Sequence, residues 1–541
     1  MKEPGEWVPT GSRSGIAFDE PEWKRLDAVY PLFVALMEGR CLHREEMEPF
    51  LAANGLDLGE TEWLALAQWG ALEGAFRLHR GVVRSERGGW GWSVRRGWRA
   101  LREGDDGRKR GQRDWSGCRC VRCGSGGKLL VPVDCPYCAE ACPYCEGCLT
   151  MGRIRYCSLL VQGCGEEAVL REGAPVPLKV DLARWGLSAA QHDAASAALA
   201  FVERGRGSVR RAEDRFFLVW AITGAGKTEM MFPLIESALR RGGSALIATP
   251  RKDVVLELAP RVKAAFPEER VVTLFGGSEE RWARGRITVA TTHQLFRFRE
   301  AFDLVVVDEI DAFPFHGDER LYHAARSVCG GGGGFVLLSA TPPKRLRRLA
   351  ERGRLAHARV CVRFHGHPLP VPKKLAVLST GEMVRRGRLA PGLLAAVAKS
   401  LERGAQLFVF VPRIDRVQGM TQLLRESFPE MEVEGTSSKD EDRAEKVERF
   451  RGKQIRMIVT TTILERGVTV PRTDVFILDA DSSLFDEASL IQMAGRAGRK
   501  LEDPNGLVYF CAPEWTAAQR EAVRQIRGMN TLARKKGYLK R

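Results

Sequence analysis

The sequence predicts an α/β protein with two parallel-sheet lobes, preceded by a cysteine-rich module and a helical N-terminal region. From about residue 170 onward, short apolar runs such as SALIAT and FDLVVVD alternate with amphipathic stretches. This alternation is typical of buried parallel strands joined by crossover helices. The segment HGHPLPVPKK at 365–374 interrupts it with three prolines, and a second series of apolar runs follows. We therefore expect two α/β lobes joined by a proline-rich linker.

Composition and charge narrow the class of protein. The chain has 541 residues, of which 44% are hydrophobic, and it carries 84 basic against 68 acidic residues, for a net charge of +16. This excess fits either a solvated basic surface or a polyanionic partner such as nucleic acid. The start, MKEPGEWVPTGSRSG, lacks the apolar core of a signal peptide, and no apolar run approaches the ~20 residues that span a bilayer. We expect a cytoplasmic protein with reduced cysteines.

The N-terminal accessory region is predicted to span residues 1–114. Its tryptophan- and leucine-rich sequence, as in EWLALAQWGALEGAF, has the apolar spacing of helices and no catalytic signature. The run GDDGRKRGQRD at 104–114 is typical of an exposed basic linker. Three tryptophans before it either belong to a core or stack on nucleic-acid bases: Trp90, Trp92 and Trp98.

A cysteine-rich zinc-binding module is predicted over residues 115–165. Ten of the 14 cysteines lie there, which in a reducing compartment indicates metal binding rather than disulfides. Paired C-x2-C knuckles supply thiolates to tetrahedral Zn²⁺, although an iron–sulfur cluster also takes four thiolates. The pairs are 120/123, 135/138, 142/145 and 145/148, and the last two share Cys145. One possible site is a short zinc ribbon of Cys120, Cys123, Cys135 and Cys138.

A phosphate-binding loop is predicted at WAITGAGKTEMM, residues 220–231. It follows an apolar run, precedes a helical pattern, and has the Walker A spacing with Ala221 in place of the first glycine. In such a loop, backbone N–H groups surround the β-phosphate at a helix N-terminus. Lys227 would reach the β- and γ-phosphates of ATP, and the Thr228 hydroxyl would bind Mg²⁺. The predicted nucleotide-binding residues are Thr223, Gly224, Ala225, Gly226, Lys227, Thr228 and Glu229.

Two acidic residues end the apolar run LVVVDE. Mg²⁺ prefers carboxylate ligands, and Asp308 at the tip of a strand fits that role. Glu309, the next residue, is predicted to act as the general base that polarises the attacking water. The sequence therefore predicts an ATP hydrolase.

Together with DEID at 308–311, further motifs make residues ~185–500 resemble the superfamily 2 helicases and translocases, whose core is two RecA-like lobes. These motifs are LSAAQ (187–191), ATPRKDVV (248–255), SAT (339–341), VTTTILERGVTVP (459–471) and QMAGRAGR (492–499). The resemblance implies that Gln191 binds adenine, that Gln492 lies near the γ-phosphate, and that Arg496 and Arg499 act as arginine fingers across the interlobe cleft. The implied nucleic-acid contacts are Pro250, Arg251, Gly276, Thr291, Thr292, Thr461 and Arg466.

Within that superfamily the chain resembles the ComFA family of late competence proteins. The resemblance is carried by GKTEM (226–230), DEIDAFPF (308–315), TTTILERGVT (460–469), and CVRCG followed by CPYCEGCLTMGR (142–153). PriA replication-restart helicases also contain a cysteine module, but they carry it inside the lobes. In this chain the cysteines come before both lobes, which favours the ComFA family. The ComFA pattern implies the Zn²⁺ ligands Cys120, Cys123, Cys145 and Cys148. Independently of the family, the remaining cysteines leave open a second metal on Cys135, Cys138 and Cys142, with Cys157 as an optional fourth ligand.

The ComFA resemblance implies an ATP-dependent single-stranded DNA translocase that drives the import of transforming DNA. It implies a location at the inner face of the cell membrane, partners such as ComFC, DprA and the membrane uptake channel, and a possible homo-oligomer. The predicted RecA-like lobes span 166–368 and 369–541. Three alternatives stay open at this point: a PriA-like restart helicase, an RNA helicase, and an ATP-gated clamp that binds DNA without moving along it.

Overall fold

A computed structural model of the chain describes residues 18–84, 115, 117–139, 141–165, 180–204, 216–466, 468 and 470–540. The predicted linker at 104–114 and the three tryptophans Trp90, Trp92 and Trp98 lie outside these residues. Within the part of the chain that is described, no helix combines the length and the apolar character needed to cross a membrane.

The N-terminal region contains the helices that its sequence predicts. The first helix, α1 (Glu20–Met37), begins at Asp19, whose side chain accepts a hydrogen bond from Glu22 N while the Glu22 carboxylate accepts one from Asp19 N. This capping box satisfies N–H groups that a helix start leaves without partners. Around the fully buried Trp63, α1 packs with α2 (Arg44–Ala53) and α3 (Glu60–Glu73).

Short strands join the N-terminal region to the cysteine-rich module, and the sequence did not predict this. In chain order they are β1 (Cys41–His43), β2 (Phe76–Arg80), β3 (Val82–Arg84), β4 (Cys118–Cys120), β5 (Leu130–Asp134), β6 (Ala141–Cys145) and β7 (Leu159–Gly163). β7 from the module lies between β1 and β2 in an antiparallel sheet, and β4 pairs with β3. The two segments therefore share their sheets. β5 and β6 form a hairpin inside the module.

Lobe 1 is the seven-stranded parallel sheet that the alternating pattern predicts. Its strands are β8 (Phe217–Ala221), β9 (Ala245–Thr249), β10 (Val271–Leu274), β11 (Ile287–Thr291), β12 (Phe302–Val307), β13 (Cys329–Ser339) and β14 (His357–Val360). Their spatial order is β10-β11-β9-β12-β13-β8-β14. The helices of lobe 1 are α4 (Ala189–Glu203), α5 (Lys227–Arg240), α6 (Lys252–Ala265), α7 (Glu319–Ser327) and α8 (Lys344–Glu351).

Lobe 2 repeats this architecture with six parallel strands. They are β15 (Lys373–Ala376), β16 (Gln406–Phe410), β17 (Val433–Thr436), β18 (Met457–Thr460), β19 (Thr473–Leu478) and β20 (Val508–Ala512), in the order β15-β20-β19-β16-β18-β17. The helices are α9 (Thr380–Arg385), α10 (Pro391–Glu402), α11 (Val417–Ser427), α12 (Arg443–Arg451), α13 (Glu487–Ala494) and α14 (Ala517–Lys535). The carboxyl ends of the central strands in both lobes carry the predicted motifs.

Buried arginines attach the N-terminal region and the module to lobe 1. Arg40 is 2% exposed and donates to the carbonyls of Trp282 and Ala283 at 3.1 and 2.8 Å. Glu46 of α2 binds Arg122 of the module at 2.8 Å and Arg297 of lobe 1 at 2.9 Å. Arg122 is therefore a buried structural residue.

The C-terminal helix α14 and the residues after it connect lobe 2 back to lobe 1. Asn530 in α14 exchanges hydrogen bonds of 2.9 and 2.8 Å with the backbone of Leu369 in the interlobe linker. After α14, Lys540 N donates to Gly366 O at 3.0 Å. The end of the chain thus fixes the linker between the lobes.

Candidate nucleotide site and cysteine clusters

The predicted phosphate-binding loop lies between the buried strand β8 and helix α5. Gly224 and Gly226 have φ angles of 77° and 73°, which glycine adopts without strain. A Cβ on Gly226 would also lie 2.3 Å from Gln191 Nε2, so only glycine fits there. Lys227, the first residue of α5, has its Nζ 3.3 Å from Asp308 Oδ1. The loop therefore places its lysine beside the acidic strand tip, as the sequence predicts.

Gln191 holds the loop in shape. Its Nε2 donates to the carbonyls of Ala225 and Gly226 at 3.0 and 3.2 Å, and its Oε1 accepts from Ser188 N at 2.8 Å. Both ends of the amide are thus engaged with backbone groups, one of them as part of the capping box that starts α4. Binding of adenine by Gln191 stays a prediction, whereas its support of the phosphate loop is visible.

Asp308 and Glu309 follow β12 at the edge that faces the loop. Burial raises the pKa of Asp308, although Lys227 opposes that shift. Glu309 has a positive φ of 56°, a strained conformation for a residue with a side chain, and its N–H donates to Asp308 Oδ1 at 2.8 Å. This backbone turn directs two adjacent carboxylates towards the cleft.

Asp311, the last residue of DEID, is the centre of a network between the lobes that the sequence did not predict. In lobe 1 its carboxylate accepts hydrogen bonds of 2.6 Å from Ser339 Oγ and from Thr341 Oγ1. From lobe 2, Arg466 Nη2 donates at 2.5 Å and Gln492 Nε2 at 3.2 Å. Burial raises the pKa of Asp311, but the Arg466 guanidinium and these donors hold it well below its usual value. One carboxylate therefore connects the SAT segment to both lobe 2 motifs.

The two predicted arginine fingers lie in different surroundings. Arg496 is 3% exposed, and its guanidinium donates to the carbonyls of Glu465, at 2.8 Å, and Val468. Arg499 is half-buried, and its Nη1 lies 3.5 Å from Val468 O. Burial lowers the pKa of Arg499, while the carboxylates of Glu257 and Glu309 oppose that shift. Glu309, the predicted general base, is thus one of the carboxylates whose charge acts on Arg499, and the role of Arg499 as an arginine finger stays a prediction.

The cleft fits a polar, anionic ligand such as ATP with Mg²⁺. Several buried polar atoms around it have no hydrogen-bond partner, and these are Thr223 Oγ1, Glu309 Oε2, Glu465 Oε2 and Arg466 Nη1. Such atoms are costly to bury unless a ligand or water completes their bonding. The phosphate loop also touches lobe 2 directly, since a Cβ on Gly495 would lie 1.9 Å from Thr223 Oγ1. The chain would hold the phosphates with Lys227 and the ion with Thr228 and Asp308.

The structure places the predicted nucleic-acid residues in different surroundings. Gly276 is exposed and Arg251 is partly exposed, with its Nη2 3.8 Å from Glu465 Oε1. Arg466 is engaged with Asp311 and lies 3.3 Å from Glu309, so in this conformation it joins the lobes instead of facing a strand. Glu229, predicted to bind nucleotide, forms an ion pair with Arg261. The buried members are Pro250, Thr291, Thr292 and Thr461.

The clustered cysteines form two separate tetrads. Cys120, Cys123, Cys145 and Cys148 lie together and are all buried. Two of their sulfur–sulfur distances are 3.7 Å (Cys120–Cys148) and 3.5 Å (Cys123–Cys145). The second tetrad is Cys135, Cys138, Cys142 and Cys157. The short zinc ribbon that would combine Cys120 and Cys123 with Cys135 and Cys138 is therefore wrong for this fold, because the hairpin holds the two pairs in different tetrads.

The first tetrad lies against lobe 1 at α7, the helix that follows DEIDAFPF. Gly124, at a φ of 75°, is so close to His323 that a Cβ would lie 2.8 Å from the imidazole Cγ. Arg320 Nη1 donates to Gly147 O at 3.1 Å. A metal in this tetrad would have no open position, because all four donors are buried protein thiols.

Family models follow one another along the chain in the same order as the cysteine-rich module, lobe 1 and lobe 2. Family models match residues 107–162 (competence protein ComFA N-terminal domain), 204–349 (DEAD/DEAH box helicase) and 392–500 (helicase conserved C-terminal domain). The chain is 37% identical to competence protein ComFA of Bacillus subtilis over 72% of this chain and 81% of the relative. It is 34% identical to competence protein ComFA of Streptococcus pneumoniae over 76% and 90%. Among solved structures, it resembles a single-substitution variant of Dbp5 from S. cerevisiae bound to RNA and ADP BeF3, with 15% identity and a TM-score of 0.46 over 63% of this chain and 87% of that one.

Proposed function

The chain belongs to the ComFA family of competence proteins and is an ATP-hydrolysing superfamily 2 helicase, and from this premise we propose that it is a single-stranded DNA translocase that drives the import of transforming DNA. The observation that carries the proposal is its 34–37% identity with two curated competence proteins over most of the chain. Its +16 net charge agrees with a polyanionic substrate.

In the proposed mechanism, this chain's residues position the phosphates and the attacking water. ATP with Mg²⁺ supplies the phosphoryl group and the charge that the site must stabilise. Lys227 would neutralise phosphate charge, Asp308 and Thr228 would hold the Mg²⁺ ion, and Glu309 would accept the proton from the attacking water. Arg499 stabilises the transition state from lobe 2, so hydrolysis depends on closure of the lobes.

Asp311 transmits the state of the cleft to the strand-binding motifs. Its carboxylate contacts Thr341 in lobe 1 and both Arg466 and Gln492 in lobe 2. An opening of the lobes must break those two interlobe hydrogen bonds, while the bonds within lobe 1 can persist. The two lobes then bind the strand in alternation, lobe 1 near Arg251 and lobe 2 near Thr461. Each cycle of ATP hydrolysis thereby moves the protein along the strand.

The first cysteine tetrad is proposed to bind one structural Zn²⁺. Four buried thiolates select zinc, and a module with a small apolar core gains folding free energy from the ion. Because this tetrad contacts α7, the metal would hold the module on the lobe that carries DEID. Its role on this proposal is to fix the module beside the motor.

The place of action is proposed from family membership. The chain would work at the inner face of the cell membrane, with the uptake channel and with competence proteins such as ComFC and DprA, as a monomer or a homo-oligomer. Pull-down of ComFC and DprA by the full chain, with and without single-stranded DNA, tests the partner proposal.

ATP hydrolysis by the purified chain should respond to one class of polymer. We expect single-stranded DNA to stimulate hydrolysis at least about tenfold at fixed salt, and duplex DNA or RNA to stimulate it much less. The reason is that the lobes close productively only when both grip a flexible single strand. The measurement compares turnover without polymer, with single-stranded, duplex and forked DNA, and with RNA. All samples have the same salt concentration, because salt changes the affinity for every nucleic acid.

The other outcomes identify the alternatives. A preference for forked DNA would indicate replication restart, and a preference for RNA would contradict the proposed substrate. Displacement of streptavidin from a biotinylated single strand then separates translocation from clamping. DNA-stimulated hydrolysis without displacement would show an ATP-gated clamp.

A further inference from the structure

The second cysteine tetrad has the geometry of an independent metal site. All four sulfurs of Cys135, Cys138, Cys142 and Cys157 lie within 4.8 Å of one another. Cys157 Sγ is 3.6 Å from Cys135 Sγ and 3.7 Å from Cys142 Sγ. A tetrahedron with Zn–S bonds of ~2.3 Å has S···S edges of about 3.8 Å, so these two separations match the spacing that a tetrathiolate zinc site requires.

The module's backbone builds this tetrad at the opposite end of the hairpin from the first. β5 and β6 pair from Leu130–Cys145 at one end to Asp134–Ala141 at the other. Cys145 at the first end belongs to the buried tetrad, whereas Cys135 and Cys142 lie at the second end. The sequence pair 142/145, which shares a ligand with 145/148, is thus divided between two sites.

The fourth ligand comes from a segment that returns along the hairpin. Cys145 N donates to Ile154 O at 2.8 Å, and Tyr156 N donates to Pro143 O at 2.9 Å. This pairing brings the next residue, Cys157, to the tip. A metal there would join the tip to the returning segment.

The two tetrads differ in their access to solvent. All four cysteines of the first are buried and lobe 1 covers them, whereas Cys138 and Cys157 of the second are exposed. Thiolates are soft ligands that select Zn²⁺ or an iron–sulfur cluster over hard cations. We propose that Cys135, Cys138, Cys142 and Cys157 bind a second Zn²⁺, which exchanges with solvent much faster than the buried ion.

Metal content of the full-length chain tests the second site. We expect two Zn²⁺ per chain in the parent protein and one in the Cys135→Ser, Cys157→Ser double variant. Cys164→Ser, in the same module but in neither tetrad, is the matched control and should keep two. A zinc-binding dye should remove one equivalent quickly and one at least about tenfold more slowly, and the double variant should lack the fast phase.

Each other outcome contradicts the proposal. One zinc in the parent chain that the double variant also keeps, or two in the double variant, would show that this tetrad does not bind zinc. Iron with visible absorbance in place of zinc would show an iron–sulfur cluster.

The Cys120→Ser, Cys123→Ser variant tests the first tetrad in the same way. It should lose the slow phase of zinc release and keep the fast one, and circular dichroism checks that its lobes are folded. These readouts do not involve DNA, so they are independent of the proposed function.

A different observation concerns Arg363, which lies between β14 and the interlobe linker. Its side chain is fully buried, and its guanidinium donates to the carbonyls of Ala497, at 2.7 Å, and Gly498 in QMAGRAGR. On its other side, its Cγ lies 3.5 Å from where a Cβ on Gly224 would be. The next residue, Phe364, donates its N–H to Gly224 O at 3.1 Å. Arg363 therefore contacts the phosphate loop and the lobe 2 motif at once.

Among the described residues, carbonyl groups and no carboxylate accept hydrogen bonds from Arg363. Its Nε has no hydrogen-bond partner, and no ion pair to it exists among the described residues. Burial, together with the charge of the neighbouring Arg499, lowers its pKa to about 9. A buried cation without a carboxylate is costly, and nucleotide phosphates at the adjacent loop would compensate it. We infer that Arg363 is a positioning residue that couples nucleotide binding at Gly224 to the placement of QMAGRAGR.

Two substitutions separate this role from simple packing. In Arg363→Gln we expect the rise in Tm caused by ADP or ATP to fall by at least half, and kcat to fall at least about tenfold. Arg363→Lys keeps the charge and should recover most of the nucleotide-induced rise. Arg359→Gln, four residues earlier on β14 and stacked on Trp220, is the control and should behave like the parent chain. Equal nucleotide-induced shifts in the parent and in Arg363→Gln, or no recovery in Arg363→Lys, would overturn the inference.

Discussion

The Lys227→Ala variant is expected to hydrolyse ATP about 10²- to 10³-fold more slowly than the parent chain, since it removes the cation that stabilises phosphate charge in the transition state. Lys227 begins α5 directly after the two left-handed glycines, with its Nζ 3.3 Å from Asp308 Oδ1. No other side chain of the loop carries a positive charge. The measurement is steady-state ATP turnover with saturating single-stranded DNA.

A matched lysine provides the control for this variant. Lys263 is an exposed residue of α6 in the same lobe, and Lys263→Ala should leave turnover within about twofold of the parent value. The thermal unfolding of both variants should agree with that of the parent within a few degrees. Full turnover in Lys227→Ala with a normal Tm would show that the phosphate site has been assigned to the wrong loop.

The fold and the phosphate site could be predicted because their signals are local. Continuous apolar strands, a glycine loop ahead of a helix and an acidic pair after a strand each occupy fewer than about 15 neighbouring residues. The structure places Lys227 beside Asp308 because parallel strands bring their carboxyl ends to one edge. The remaining motifs follow in the order known from helicases, and this order indicates that a second lobe comes after the first.

The rest of the site depends on contacts between distant residues. Asp311 meets Arg466 across 155 positions, and Glu46 meets Arg297 across 251. The division of the cysteines into two tetrads also requires the hairpin register and the returning segment, which spacing alone does not give. Arg363 had no motif to identify it, although an arginine ahead of a proline-rich linker is visible in the sequence.

Arg499→Ala is expected to reduce turnover by about 10³-fold while leaving ATP binding and Tm close to those of the parent, as the loss of an arginine finger does. Arg499 is half-buried, and its Nη1 lies 3.5 Å from Val468 O. Burial lowers the pKa of Arg499, and the Glu309 carboxylate is one of the groups that oppose this shift. In the proposed mechanism its guanidinium reaches the phosphates when the lobes close around ATP. Equilibrium binding of a fluorescent ATP analogue and single-turnover hydrolysis measure the two effects separately.

Arg496 supplies the contrast within the same motif. Its guanidinium is buried on the carbonyls of Glu465 and Val468, so its replacement removes this donor from Glu465 O and leaves Val468 O with the longer bond from Arg499. Arg496→Ala should lower Tm by several degrees, because each lost bond to a buried group costs about 1–3 kcal/mol. If Arg499→Ala lowered Tm as much, or if Arg496→Ala slowed turnover at unchanged Tm, the roles of the two arginines would have to be exchanged. The distinction follows from geometry alone, because both residues are arginines three positions apart in one repeated pattern.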